Sequence, residues 1–173
     1  VDIGGDEGTV GLITYMRTDS FNIAREAQDE ARGVILERYG EPYLPEKPPV
    51  YRTKAKGAQE AHEAIRPTSS RRTPEALREV LPREQFRLYE LIWKRFIASQ
   101  MEAALFDSTA VDIAALTASS QAQALPADPY TFRATGSVLK FPGFLAVYNV
   151  SLDEGEEDED SERRLPPLAE REP

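Results

Sequence analysis

The residues best suited to do chemistry lie in Gly11-Leu12-Ile13-Thr14-Tyr15-Met16-Arg17-Thr18-Asp19-Ser20. Apolar Val10, Leu12 and Ile13 read as a short buried strand ending on Tyr15, with Arg17, Thr18, Asp19 and Ser20 following at once. In an extended segment positions i and i+2 point to one side, so Arg17 can stand beside the Tyr15 oxygen. A free phenol titrates near ~10 and is a poor nucleophile at neutral pH. A fixed positive charge beside it favours the phenolate. The same charge grips a phosphate and stabilises the negative charge that builds on five-coordinate phosphorus. Arginine suits this better than lysine, because its planar fork matches phosphate and keeps its proton. A bare Tyr-x-Arg is more often an edge tyrosine next to a solvated arginine. The whole decapeptide is what turns the reading towards phosphoryl chemistry.

Leu12 to Ser20 closely resembles the active-site segment of type IA DNA topoisomerases, in the bacterial topoisomerase I branch. Met16 favours that branch over topoisomerase III, where proline is usual. Two further segments resemble the same family in the same order. They are Gln59-Glu60-Ala61-His62-Glu63-Ala64-Ile65-Arg66-Pro67-Thr68 and Leu88-Tyr89-Glu90-Leu91-Ile92-Trp93-Lys94-Arg95-Phe96-Ile97-Ala98-Ser99-Gln100-Met101. The resemblance covers about residues 8–150.

The resemblance implies a mechanism and a set of roles. Tyr15 would attack a backbone phosphate of single-stranded DNA, leaving a 5′-phosphotyrosine link, and the freed 3′-hydroxyl would reverse the reaction after strand passage. Negatively supercoiled DNA would be relaxed without ATP, since one phosphodiester replaces another. Tyr15 and Arg17 would be catalytic. His62, Arg66, Thr14, Thr18 and Asp19 would contact or position the DNA, with Thr18 and Asp19 also able to orient Arg17 or cap the next helix. Intact members use Mg2+, held by an acidic cluster in an earlier domain that also carries a proton-donating glutamate. No segment here matches it, so this piece is expected to bind no metal and not to relax DNA alone. The implied partners are single-stranded DNA and the missing metal-binding and gate domains of a monomeric parent in the cytoplasm.

The elements that must position these residues follow from pattern. A length of 173 residues suits one or two small domains. There is no Cys, hence no disulfide framework or zinc-thiolate site, which fits a reducing compartment. No long apolar run marks a signal peptide or membrane span. Val1 in place of Met points to an excised piece. The net charge of −9 argues at first against a nucleic-acid partner. Its distribution answers this: residues 151–173 hold 10 acids and 3 bases, whereas residues 51–100 hold 11 bases and 6 acids. Arg66, Arg71, Arg72, Lys54 and Lys56 are therefore candidate phosphate contacts.

Ser20 or Asn22 can cap a helix whose apolar positions are Ile23, Ala27, Ala31, Val34, Ile35 and Tyr39, stopped by Gly40. The N-terminus of that helix could lend partial positive charge to the site. Four prolines make 41–58 a loop. Residues 59–66 are predicted to form a short helix ending before Pro67, which would put the lone His62 and Arg66 on one face. Thr73-Pro74-Glu75 starts a helix to about Leu81, and Pro82 restarts another with Phe86, Tyr89, Ile92, Trp93, Phe96 and Ile97 as a core face. Ser108–Leu116, Tyr130–Thr135 and Leu145–Val150 read as strands, with Phe141–Phe144 as a turn and 151–164 as a disordered acidic run. The fold class is α+β. The resemblance assigns 1–104 to an incomplete helical domain with a helix-turn-helix-like core that carries the tyrosine. It assigns 105–173 to part of a β-rich arch.

Three other classes of function fit parts of this pattern. One is a single-stranded-DNA-binding module without catalysis, in which Tyr15 has no role. Another is a tyrosine recombinase, but there the tyrosine follows the Arg and His residues, whereas Tyr15 precedes His62. The last is a structural domain.

Overall fold

The computed structural model describes residues 1–3, 8–16, 20–51, 63–114 and 131–148. The chain divides into two compact units, 1–103 with 143–148, and 104–142 with 149–173. Together they are of mixed α+β composition.

The first unit is built on two helices, α1 (Arg25–Tyr39) and α3 (Arg83–Ser99), with a one-turn helix α2 (Pro74–Leu77) before α3. The three-and-four spacing works as expected. Ala27, Ala31, Val34 and Ile35 of α1 and Tyr89, Trp93, Phe96 and Ile97 of α3 are buried in one core with Leu77, Leu81 and Met101. Trp93 and its buried neighbours thus form the core face read from the sequence. Gly40 ends α1 at φ +91°, its N–H donating to the Ile35 and Leu36 carbonyls. Thr73 caps α2 with Pro74 in the first turn, but the helix stops at Leu77, short of Leu81.

Three expectations fail here, each because backbone groups find other partners. Glu63–Arg66 is not helical. The Ala64 N–H donates to the Asn22 carbonyl and the Arg66 N–H to Thr14 Oγ1, so the bonds that would make a helix go elsewhere. Residues 59–62 lie outside the described residues. Next, Val10–Ile13 forms no continuous strand. Ile13 makes an isolated antiparallel bridge with Pro67, framed by bonds from the Thr14 N–H to the Arg66 carbonyl and from the Thr68 N–H to the Leu12 carbonyl. Proline has no N–H to extend a ladder. Leu12 and Ile13 are half-buried against the core. Finally, Leu145–Tyr148 is not a strand; Gly143–Ala146 is a 3-10 turn within the first unit. Gly143 sits at φ +48°, where a Cβ would lie 2.5 Å from the carbonyl carbon and oxygen of Ala103.

The second unit is a two-stranded antiparallel ribbon, β1 (Leu105–Ala114) with β2 (Thr131–Phe141), longer than either strand read from the sequence. Paired residues share a face. One face carries the Ser108–Ser137 hydroxyl contact and the Asp112–Arg133 ion pair. The other pairs Val111 with Ala134 and Ile113 with Phe132. Residues 115–130 and the acidic run 151–164 lie outside the described residues.

Candidate active site

Tyr15 follows directly on the Ile13–Pro67 bridge and is 70% exposed, with Met16 beside it also exposed. A ligand can therefore reach this phenol from solvent. Its predicted helpers Arg17, Thr18, Asp19 and His62 lie outside the described residues, as do Lys54 and Lys56.

What holds Tyr15 is well defined. Thr14 Oγ1 donates to the Ala64 carbonyl at 2.8 Å and accepts the Arg66 N–H at 3.0 Å. On the far side of the motif Ser20 is buried, and its Oγ accepts the Asn22 N–H at 3.1 Å. Glu63 then accepts the Ala24 N–H at 2.8 Å, at the residue that caps α1. Neither Ser20 nor Asn22 serves as the cap; a carboxylate from a distant segment does so, where it also complements the positive end of the helix dipole. The partial charge expected to serve the site is therefore met by Glu63.

The same carboxylate pairs with Arg66 through both oxygens, at 2.9 and 3.2 Å from Nη2, while Arg66 Nη1 donates to the Pro67 carbonyl at 3.0 Å. The Arg66 side chain is only 11% exposed. Thr14 Oγ1 and the two Nη atoms of Arg66, read from the sequence as DNA contacts, make these bonds within the protein, while the buried Arg66 Nε has no protein partner among the described residues. Arg72 donates to Thr68 Oγ1, which in turn donates to the Gly11 carbonyl. Arg71 forms an exposed fork with Glu37 and holds that carboxyl below its ordinary range by hydrogen bonding and charge.

Segment 63–73 is itself anchored to the helical core. Glu30 of α1 accepts from Ser69 Oγ at 2.8 Å and from the Ser70 N–H. From α3, Trp93 Nε1 donates to the Ser70 carbonyl at 2.9 Å and the Tyr89 hydroxyl to the Arg72 carbonyl. A buried ring with a polar tip finds its partner here. A line of contacts therefore runs from the core helices through 63–73 to the residue before Tyr15. Glu63 and Glu30 were missed as functional candidates. The one signal for Glu63 was an acid three positions before Arg66.

A family model described as DNA topoisomerase matches residues 8–173. The chain belongs to the bacterial type IA DNA topoisomerases. DNA topoisomerase 1 of Xylella fastidiosa is 50% identical over 163 residues, 94% of this chain and 19% of that protein. DNA topoisomerase 1 of Rickettsia felis is 45% identical over 173 residues, covering 100% of this chain and 20% of its relative. The full-length topoisomerase I structure from Thermotoga maritima superposes with a TM-score of 0.64 at 35% identity, over 85% of this chain and 21% of that one. The chain thus spans about a fifth of the length of these topoisomerases. The family implies Mg2+, but the described residues contain no group of three or more His, Asp or Glu able to hold a metal. Among the described residues no helix is long and apolar enough to cross a membrane.

Proposed function

We propose that this chain is the part of a type IA topoisomerase that supplies the nucleophile for transient single-strand cleavage and for relaxation of negative supercoils. The Tyr15 phenolate oxygen bonds to a backbone phosphorus, the bond from phosphorus to the 3′ oxygen breaks, and that oxygen leaves as a hydroxyl after taking a proton. A 5′-phosphotyrosine link holds the broken end. Attack by the same 3′-hydroxyl restores the strand, and the phenol regains its proton. One ester bond is exchanged for another, so no ATP is consumed. Arg17 would stabilise the phenolate and the charge on phosphorus. His62, Thr18 and Asp19 would orient the strand. Magnesium would be held by residues elsewhere in the parent protein. The first unit would be part of the tyrosine-bearing helical domain and the ribbon part of the arch, in a cytoplasmic, monomeric enzyme.

The observation that carries this reading is the exposure of Tyr15 at the end of a pinned segment, within the match to the family. The test is Tyr15→Phe in the full-length enzyme containing this chain. Covalent adducts with a labelled single-stranded oligonucleotide are trapped by denaturant. Adduct formation should fall by at least about 10,000-fold, the scale of losing a nucleophile, with oligonucleotide binding retained. Undiminished adduct would leave a DNA-binding module with no role for this phenol.

A further inference from the structure

We propose that Thr14, Glu63 and Arg66 form a two-ended clamp that sets the position of Tyr15, and that they are positioning residues for strand cleavage and not DNA ligands. This rests on the reading of Tyr15 as the nucleophile.

The clamp has an unusual economy of parts. Four residues, Glu63–Arg66, hold both ends of the stretch that carries the tyrosine. Before it, Thr14 is tied to the Ala64 carbonyl and the Arg66 N–H by its hydroxyl, and to the Arg66 carbonyl by its own N–H. After it, the Asn22 carbonyl accepts the Ala64 N–H, and the Ala24 N–H reaches the Glu63 carboxylate. Arg66 closes the loop by binding both oxygens of that carboxylate. Only one peptide link separates the last bond of Thr14 from Tyr15. The Tyr15 ring is thus exposed, while the residue before it is pinned. In-line attack needs the oxygen within roughly 3–3.5 Å of phosphorus on the correct line, and an error of about 1 Å can cost on the order of 100-fold in rate.

The chemistry of Thr14 and Arg66 favours this role over direct DNA binding. A hydroxyl has one proton to donate, and Thr14 gives it to a carbonyl. A guanidinium with a nearly buried side chain, forked onto a carboxylate, would have to break that pair to take a phosphate. The anchoring of 67–73 by Glu30, Tyr89 and Trp93 gives the clamp a rigid base.

The test compares Thr14→Val and Thr14→Ser in the full-length enzyme, with Tyr15→Phe as reference. Cleavage is measured in a single turnover at saturating oligonucleotide, and binding separately by anisotropy. Thr14→Val should slow cleavage by about 10- to 100-fold, with the dissociation constant held within about twofold. Thr14→Ser, which keeps the hydroxyl, should restore the rate. Weakened binding with an unchanged saturated rate would make Thr14 a DNA ligand and overturn the clamp. An unchanged rate and unchanged binding would overturn it as well. If Thr14→Val does not fold, Glu63→Gln decides by the same two readouts, since it keeps the shape and removes the charge that holds Arg66. Persistent adduct in Tyr15→Phe would instead bring down the underlying reading, so the two failures are distinct.

Discussion

Tyr89 shows how much one hydroxyl carries in this protein. Its ring is buried between the helices and its hydroxyl donates to the Arg72 carbonyl, fixing the far end of the segment that holds Tyr15. Burial pushes its phenol up to about 12, opposed by the Arg72 charge and assisted by Glu30. Burial also raises Tyr39 and Tyr51. A raised phenol pKa means that the folded state keeps a proton the unfolded chain gives up near ~10. The stability from Tyr89 is fully present below that value and is lost as pH climbs from there to about 12. Urea midpoints should accordingly fall across this alkaline window. Tyr89→Phe should cost about 1 kcal/mol at neutral pH, the scale of one hydrogen bond, and make the alkaline fall shallower. An equally steep fall in the variant would show that the alkaline loss comes from other groups. At this same scale, residue type and neighbours in the sequence were enough to propose chemistry for Tyr15, and the structure adds that its ring is exposed. The pairing of Arg66 with Glu63 was not legible, because an arginine facing a phosphate and one facing a carboxylate look identical as a letter.

At the scale of elements, α1 and α3 were legible because their apolar residues recur with the helical period over many turns. The signal fades where an element is short. Glu63–Arg66 has too few residues for a period, and its conformation is decided by Thr14 and Asn22, some forty to fifty residues away in sequence. The stretch after Phe141 has strand-forming composition, yet a local feature overrides it. The Phe144 N–H donates to the Glu102 carbonyl and Gly143 lies flat against the Ala103 backbone. Only a residue without Cβ fits there, and its positive φ compounds the demand. Gly143→Ala should therefore destabilise the first unit by at least about 2 kcal/mol, since neither the backbone angle nor the neighbouring carbonyl can yield cheaply. Thermal melting followed by Trp93 fluorescence measures this, because Trp93 lies in the core of that unit. A melting temperature matching the parent chain would mean that the 3-10 turn moves away at little cost.

At the scale of the whole molecule, the question is what one-fifth of a topoisomerase can do alone. The first unit carries the tyrosine, and its helical core and the bonds around Thr14 lie among the described residues. In the mechanism proposed above, relaxation asks for more: a metal-assisted cleavage site, a gate that opens, and a second strand passed through it. The described residues hold no cluster for a divalent cation. The ribbon leaves Ile113, Phe132 and Val138 exposed along one face, and two strands alone have little independent stability. Negatively supercoiled plasmid incubated with the purified chain and magnesium should keep its topoisomer distribution, read on an agarose gel. Mixing with a separately produced polypeptide carrying the metal-binding domain should restore relaxation only if the two parts reassemble around Tyr15. Relaxation by the chain alone, abolished by Tyr15→Phe, would mean that catalysis and gating need far less of the parent protein than this division of labour requires.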